Sequence, residues 1–267
     1  MENEAQQPGT GLGGITSRPI LNTRVDGTSY GDACDRIQAW AEERRSCYVV
    51  AANVHVVMTA YLDNAYQKIV NQAALVTPDG MPLVWGLRLL GVVGQLRVYG
   101  PDLMLAWCQR SAQTGIPIYL YGGTESTLLR LTESLQRQFP GLPIAGTHAP
   151  PFRTLSPEEE AANVDRIHQS GAQVVFVGLG CPKQEQWMYR QQGQLQAVMI
   201  GVGAAFNFFS GEVSQAPRWM MKLGLEWLYR FSQEPGRLWQ RYLVNNPLFI
   251  VLFGLQVLKY KIFKALA

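Results

Sequence analysis

Five short apolar runs punctuate this chain: "CYVVAA" (47–52), "ALVTP" (74–78), "IPIYLYGG" (116–123), "AQVVFVGLG" (172–180) and "QAVMIGVG" (196–203). None alternates apolar with polar residues, so none suits a strand with one wet face. Continuous runs of this kind fit strands covered on both faces, as in a parallel sheet. Helical patterns lie between them. Residues 53–70 carry Val54, Val57, Met58 and Tyr61 at helical spacing. Ser156-Pro157-Glu158-Glu159 spells a capping box with proline at the first helical position, opening a helix to about Ser170. Strands alternating with helices predict an α/β fold with an open, doubly wound, Rossmann-like and mostly parallel sheet. At 267 residues and 47% hydrophobic content the chain can bury such a core.

The two ends differ from this middle. Residues 1–27, with "QQPGTGLGG", read as a flexible lead-in, and 28–214 as the α/β core. Residues 215–267 contain no strand-like run and form a helical, basic appendage. Pro217, Pro235 and Pro247 divide it into three expected helices. Trp219, Leu223, Trp227 and Phe231 recur as one apolar stripe in the first, and Lys222, Glu226 and Arg230 as an i, i+4 ladder on another face. Arg237 and Arg241 share a face of the second helix. The appendage holds eight basic and two acidic residues, a net +6 that leaves −3 on residues 1–214. Such asymmetry points to an anionic partner, either a membrane surface or phosphate groups. The third helix, apolar first and Lys-rich last, suits an interfacial helix or one buried in a homo-oligomer. Its longest apolar run, Leu248–Leu255, stops short of the ~18 residues a span requires, so attachment without crossing is expected. Cys34, Cys47, Cys108 and Cys181 lack metal-ligand spacing and predict reduced thiols in a cytosolic protein.

Three runs end in glycines: Gly122-Gly123, Gly178-Leu179-Gly180 and Gly201-Val202-Gly203. In open α/β sheets ligands bind at strand carboxyl ends, where glycine lets backbone approach phosphate or ribose, although βα turns use glycine anyway. No dinucleotide or P-loop fingerprint is present, which weakens a nucleotide-dependent oxidoreductase as a reading. In "GLGCPKQEQW" (178–187), Lys183, Gln184 and Glu185 crowd a helix start. They are either a solvated first turn or a polar cluster aimed at a bound nucleotide sugar. "TPDG" (77–80) spells a turn, and its Asp79 is either turn chemistry or a carboxylate at a strand end placed to take a proton. His55, His148 and His168 sit in an apolar helix, a Pro-rich loop and a polar face, and suggest structural or surface roles.

In order, "TPDGMPLVWG" (77–86), "VYGPDL" (98–103), "GLGCPKQEQW", "GVGAAFNFFSGEVSQAPRW" (201–219) and "LEWLYRFSQEPGRLWQRY" (225–242) resemble the motif series of the WecG/TagA/CpsF glycosyltransferases, glycosyltransferase family 26. The resemblance runs from about Ser46 to Tyr242. It implies a GT-E-like fold and a membrane-associated, metal-independent, inverting transferase with no cofactor. Such enzymes move N-acetylmannosamine, its uronic acid or a hexose from UDP to an undecaprenyl-diphosphate-linked sugar. The products are teichoic acid, common antigen or exopolysaccharide. The implied partners are a UDP-sugar, a polyprenyl-diphosphate-linked acceptor and the inner face of the cell membrane, with no nucleic acid.

By the same resemblance Asp79 is the general base. Asn53 matches a TxN segment, and Gln184, with Lys183 and Glu185, the sugar-nucleotide motif. Asp102, Gly122, Gly123, Gly178 and Gly201 complete the expected substrate-binding set. Arg230, Arg237 and Arg241 match C-terminal arginines at the membrane side of the site. The chain departs from the pattern at Ala51 (Thr in the family), Asn207 (often Asp) and Gln240 (often basic), and "GTHAPPF" lacks the usual GYF. Inverting transfer needs one carboxylate to deprotonate the attacking hydroxyl and cations or dipoles for the leaving diphosphate. No DxD-like acidic pair appears, which fits arginines in that second role. The competing class is a catalytically impaired, nucleotide-sugar-binding membrane adaptor of the same fold, with Ala51 as its support.

Overall fold

The computed structural model describes residues 13–266, with only the backbone of Arg237 and of residues 264–266; residues 1–12 of the expected lead-in lie outside the described residues. From Thr16 the lead-in proves structured. β1 (Thr16–Ile20) and β2 (Thr23–Gly27) form an antiparallel hairpin through a two-residue turn at Leu21-Asn22. Its anchor is Asp26, a buried carboxylate that accepts from Ser17 Oγ at 2.6 Å and from the Val76 N–H at 2.8 Å. That bond is long-range, so local composition gave no sign of it.

The body is one parallel sheet. β3 (Cys47–Ala52), β4 (Leu75–Pro78), β5 (Ile118–Gly122), β6 (Ile144–His148), β7 (Val174–Gly178) and β8 (Val198–Gly201) lie in the order β4-β3-β8-β7-β5-β6. All five apolar runs are strands, and every residue of β3, β4, β5 and β8 is buried. β6 escaped notice because it is an edge strand, half-buried, with no continuous apolar run. Helices cover both faces. α1 (Tyr30–Glu42), α5 (Gly100–Thr114), α6 (Glu125–Gln138) and α9 (Ala205–Phe209) pack in one apolar layer. α2 (Val54–Leu62), α3 (Asn64–Gln72), α4 (Met81–Leu89), α7 (Pro157–Gln169) and α8 (Lys183–Gln191) pack in the other. The expected helix over 53–70 is broken at Asp63, whose side chain caps α3. The capping box at Ser156 and Glu159 opens α7 as expected.

The appendage is more divided than its prolines suggest. α10 (Arg218–Lys222) and α11 (Glu226–Gln233) are separated at Gly224, which has φ +73° and sits where a Cβ would lie 3.0 Å from the Trp85 ring. The expected Trp219–Phe231 stripe therefore splits: Trp219 and Leu223 are exposed, while Trp227 and Phe231 pack on Tyr242. The ladder splits too, because Glu226 turns into the body. α12 (Pro235–Trp239) runs through a π-turn at Gln240–Val244 into α13 (Asn245–Leu266). Pro247 does not divide the helix, which continues from the π-turn through Leu266.

Gln240–Phe263 is long and apolar enough to cross a membrane by length and composition, which corrects the expectation drawn from uninterrupted runs. Gln256 interrupts the run in sequence but not in space. Its amide donates to Pro19 O at 2.7 Å and accepts from Leu21 N at 2.9 Å. Phe249 and Phe253 are buried in the α2–α4 layer, and Tyr260 donates to Leu90 O at 3.3 Å, so α13 lies along the body.

Candidate active site

The carboxyl ends of β3, β4, β5, β7 and β8 open into a cleft of about 500 Å³, and the appendage supplies part of its wall. Open α/β sheets bind ligands in this place. Asp79 follows β4 directly, its N–H bonded to Ala52 O at 2.8 Å, and Gly80 caps α4. The carboxyl is buried. Its Oδ2 accepts from the Gly100 N–H at 3.2 Å, and its Oδ1 lies 3.3 Å from Arg97 Nη2. Burial pushes it up to about 6; Arg97 and Gly100 pull it down and Glu226 pushes it further up.

Arg97 and Glu226, neither anticipated from sequence, complete this corner. Arg97 Nε donates to the Asp79 carbonyl, while Nη2 lies 2.6 Å from Glu226 Oε2. The guanidinium stacks 4.1 Å above the Tyr99 ring, and Tyr99 Oη donates to Glu226 Oε1 at 3.0 Å. Arg97 stands one residue before the quoted "VYGPDL", so a wider window would have caught it. Glu226 gave no signal, because its partner is 129 positions away.

Asn53 caps α2, accepting from His55 N at 3.0 Å, and its Oδ1 is 3.5 Å from Arg241 Nη2. Arg241 and Arg230 both reach the cleft, and among the described residues neither has an ion-pair partner. The Arg241 Nε is buried with no hydrogen bond. Burial, with Arg230 adding to it, lowers the Arg241 pKa, and burial together with Arg241 holds the adjacent His55 at about 4, neutral at pH 7. Arg237 belongs to α12, but its side chain lies outside the described residues.

The other expected residues divide. Gly123, Gly178, Gly201 and Gln184 line the cleft. Gln184 is held at both ends, accepting from Gly180 N at 3.2 Å and donating to Glu185 Oε1 at 2.8 Å. Glu185 is fully buried behind it, and burial raises its pKa, so it braces Gln184 instead of facing the cleft. Lys183 is exposed and does not line the cleft. Gly122 does not line it either. With φ +122° it packs against β7, and a Cβ there would lie 2.7 Å from the Gly178 carbonyl carbon. Asp102 also stands apart, held by Arg218 at 2.7 and 3.2 Å in a bidentate pair that tethers α10 to α5. At the far end of the cleft Glu212 accepts from Thr127 Oγ1 at 2.7 Å and from Arg130, and Asn207 lines the wall beside it. No group of three or more His, Cys, Asp or Glu side chains converges as metal ligands among the described residues.

A Rossmann-like sheet with a polar, cation-lined cleft at its strand ends fits a nucleotide-sugar transferase, and the comparison with known proteins gives the family. Residues 18–264 match the model of the glycosyl transferase WecG/TagA/CpsF family, and the chain belongs to it. It is a glycosyltransferase. A relative from Bacillus spizizenii, 30% identical over 205 residues (76% of this chain and 77% of the relative), is named N-acetylglucosaminyldiphosphoundecaprenol N-acetyl-beta-D-mannosaminyltransferase.

Proposed function

We propose that this protein moves an N-acetylmannosamine-like sugar or related hexose from a UDP-sugar to a polyprenyl-diphosphate-linked sugar, with inversion, in the assembly of a bacterial surface polysaccharide. The relative's name supports the acceptor class and the sugar. The observation that carries the mechanism is the opposition of charges in one cleft. A buried carboxyl raised to about 6 shares the cleft with two arginines that have no ion-pair partner among the described residues. At pH 7 Asp79 is mostly ionised yet basic enough to take the proton of the acceptor hydroxyl as it attacks the anomeric carbon, a contribution worth about 10²–10⁴ in rate. Arg230 and Arg241 meet the diphosphate charge that grows as the bond to the donor breaks, and the buried setting strengthens that attraction. Asn53 and the braced Gln184 hold the sugar and diphosphate between them.

A lipid-linked acceptor supports a reaction at a membrane surface, on this reading the inner face of the cell membrane. α13 supports peripheral attachment, because one face is docked on the body through Phe249, Phe253 and Gln256. The opposite face exposes Ile250, Val251, Leu255, Leu258 and Ile262 beside Lys259 and Lys261. An amphipathic helix with snorkelling lysines lies in an anionic interface. Trp85, Leu89 and Val93 on and after α4 extend the apolar surface onto the body. The test is UDP release from a panel of UDP-sugars with a short-chain lipid-diphosphate sugar acceptor. Release that needs both substrates supports the transfer; binding of UDP-sugars with no turnover on any pair would leave the adaptor reading standing.

A further inference from the structure

One nitrogen of Arg97 serves two carboxylates drawn from distant parts of the chain. Its Nη2 is 3.3 Å from Asp79 Oδ1 in the body and 2.6 Å from Glu226 Oε2 in the appendage. Glu226 holds the shorter contact and also accepts the Tyr99 hydroxyl at 3.0 Å, so both of its oxygens are engaged with the body. α11 buries none of its residues, so Glu226 is the polar peg by which this helix meets the cleft floor. An arginine left to a single buried carboxylate forms a tight ion pair and makes that carboxylate a poor base. We propose that Glu226 is a positioning residue that shares the Arg97 guanidinium with Asp79, taking the shorter contact at 2.6 Å against 3.3 Å, so that Asp79 keeps a carboxylate free enough to accept a proton. This inference rests on Asp79 being the general base.

Among the described residues, the groups facing Asp79 offer no other acid to do this. They are Arg97 and the Gly100 N–H before and at the start of α5, Glu226 from α11, Tyr99 beneath Arg97, Tyr30 from α1, and Arg241 from the π-turn. Glu226 is the one carboxyl among them; burial pushes the Tyr30 hydroxyl up to about 12 and that of Tyr99 well above its ordinary value. Of the charged neighbours, then, Glu226 raises the Asp79 pKa and Arg97 opposes it. Neutralising Glu226 therefore lowers the Asp79 pKa, and the loss of rate on acidification begins at lower pH.

The experiment is the pH dependence of kcat, from pH 4.5 to 8.5, for the full chain and for Glu226→Gln, Glu226→Asp and Asp79→Asn, with thermal melts confirming the fold. In Glu226→Gln the acid limb moves down by about one unit, and the plateau falls roughly three- to tenfold as the base weakens. Glu226→Asp keeps the charge and keeps the parental limb, whatever its plateau. A lower plateau with an unmoved limb in Glu226→Gln makes Glu226 a docking contact only and overturns the proposal. A loss beyond a hundredfold at every pH in Glu226→Gln, with Glu226→Asp active, makes Glu226 itself the proton acceptor and overturns it too. If Glu226→Gln does not fold, an acid limb in Glu226→Asp that moves with its fold intact overturns the proposal. Should Asp79→Asn retain both rate and limb, the failure lies in the base assignment and takes this inference with it.

Discussion

β3 and α11 hold their places in opposite ways. All six residues of β3 are buried between two helical layers, whereas α11 buries none of its eight. Each fully buried Val or Ile contributes roughly 1.5–3 kcal/mol by leaving water, so the sheet is secured by many interchangeable contacts. The appendage before α13 buries far fewer side chains, Ala216, Met221, Leu238 and Tyr242 among them, and adds specific contacts: Glu226 on Arg97 and Tyr99, Arg218 on Asp102, Trp227 and Phe231 on Tyr242. The difference separates two jobs. The body sets the positions of Asp79, Asn53 and Gln184 with little freedom, and the appendage adds Arg230 and Arg241 to the cleft wall, where, in the proposed function, they meet the diphosphate.

The largest effect expected within the body tests that division directly. Asp79→Asn keeps the turn, since Asn suits it equally, and loses about 10²–10⁴-fold in turnover with UDP-sugar binding intact. Calorimetric titration of UDP-sugar beside the rate assay checks both halves. Next come the exposed residues of α13. Leu255→Asp with Leu258→Asp removes two apolar anchors on the side away from the body, so partition onto anionic vesicles falls by roughly a hundredfold while the melting temperature stays put. Vesicle sedimentation measures it, and a fall in melting temperature instead would mean that this face is covered by protein.

Arg241→Ala in detergent, where membrane attachment no longer matters, costs roughly ten- to a hundredfold in turnover through a lost charge-assisted contact. Near-parental turnover there would confine the appendage to attachment. For the parent, kcat falls as pH drops through about 6, where Asp79 takes up its proton, by about tenfold per unit below it; a stopped assay across pH 4.5–8 reads this limb. The smallest effect is Lys183→Ala. It is exposed and outside the cleft, and within the family motif it sits beside the buried Gln184, so turnover stays within about twofold.

The same contrast explains what the sequence disclosed. Buried parallel strands cannot be written without continuous apolar runs, so β3, β4, β5, β7 and β8 were legible, and with them the position of Asp79, Gly123, Gly178 and Gly201 at strand ends. β6 and the β1–β2 hairpin were hidden because their support is distant: an edge position for one, and Asp26 reaching Val76 for the other. In the appendage, periodicity misled. Trp219 to Phe231 have helical spacing, yet Gly224 turns the chain between them. Local rules place a residue on a helix face; they do not say that Glu226 will meet an arginine 129 positions earlier. Lys183, Gln184 and Glu185 are adjacent in sequence but point to three environments: solvent, cleft and core.

Gln256 also fixes an order of events during synthesis. It completes the turn of the first hairpin from 235 positions downstream, donating to Pro19 and accepting from Leu21. While the ribosome is still adding residues, the sheet between them can collapse, since domains form as their segments emerge. The hairpin turn waits for its last partners, and the two aromatic side chains of α13 that bury beside α4 arrive with Gln256. The body is thus completed only once α13 has left the ribosome. Closure between two segments 235 positions apart becomes the final act of folding.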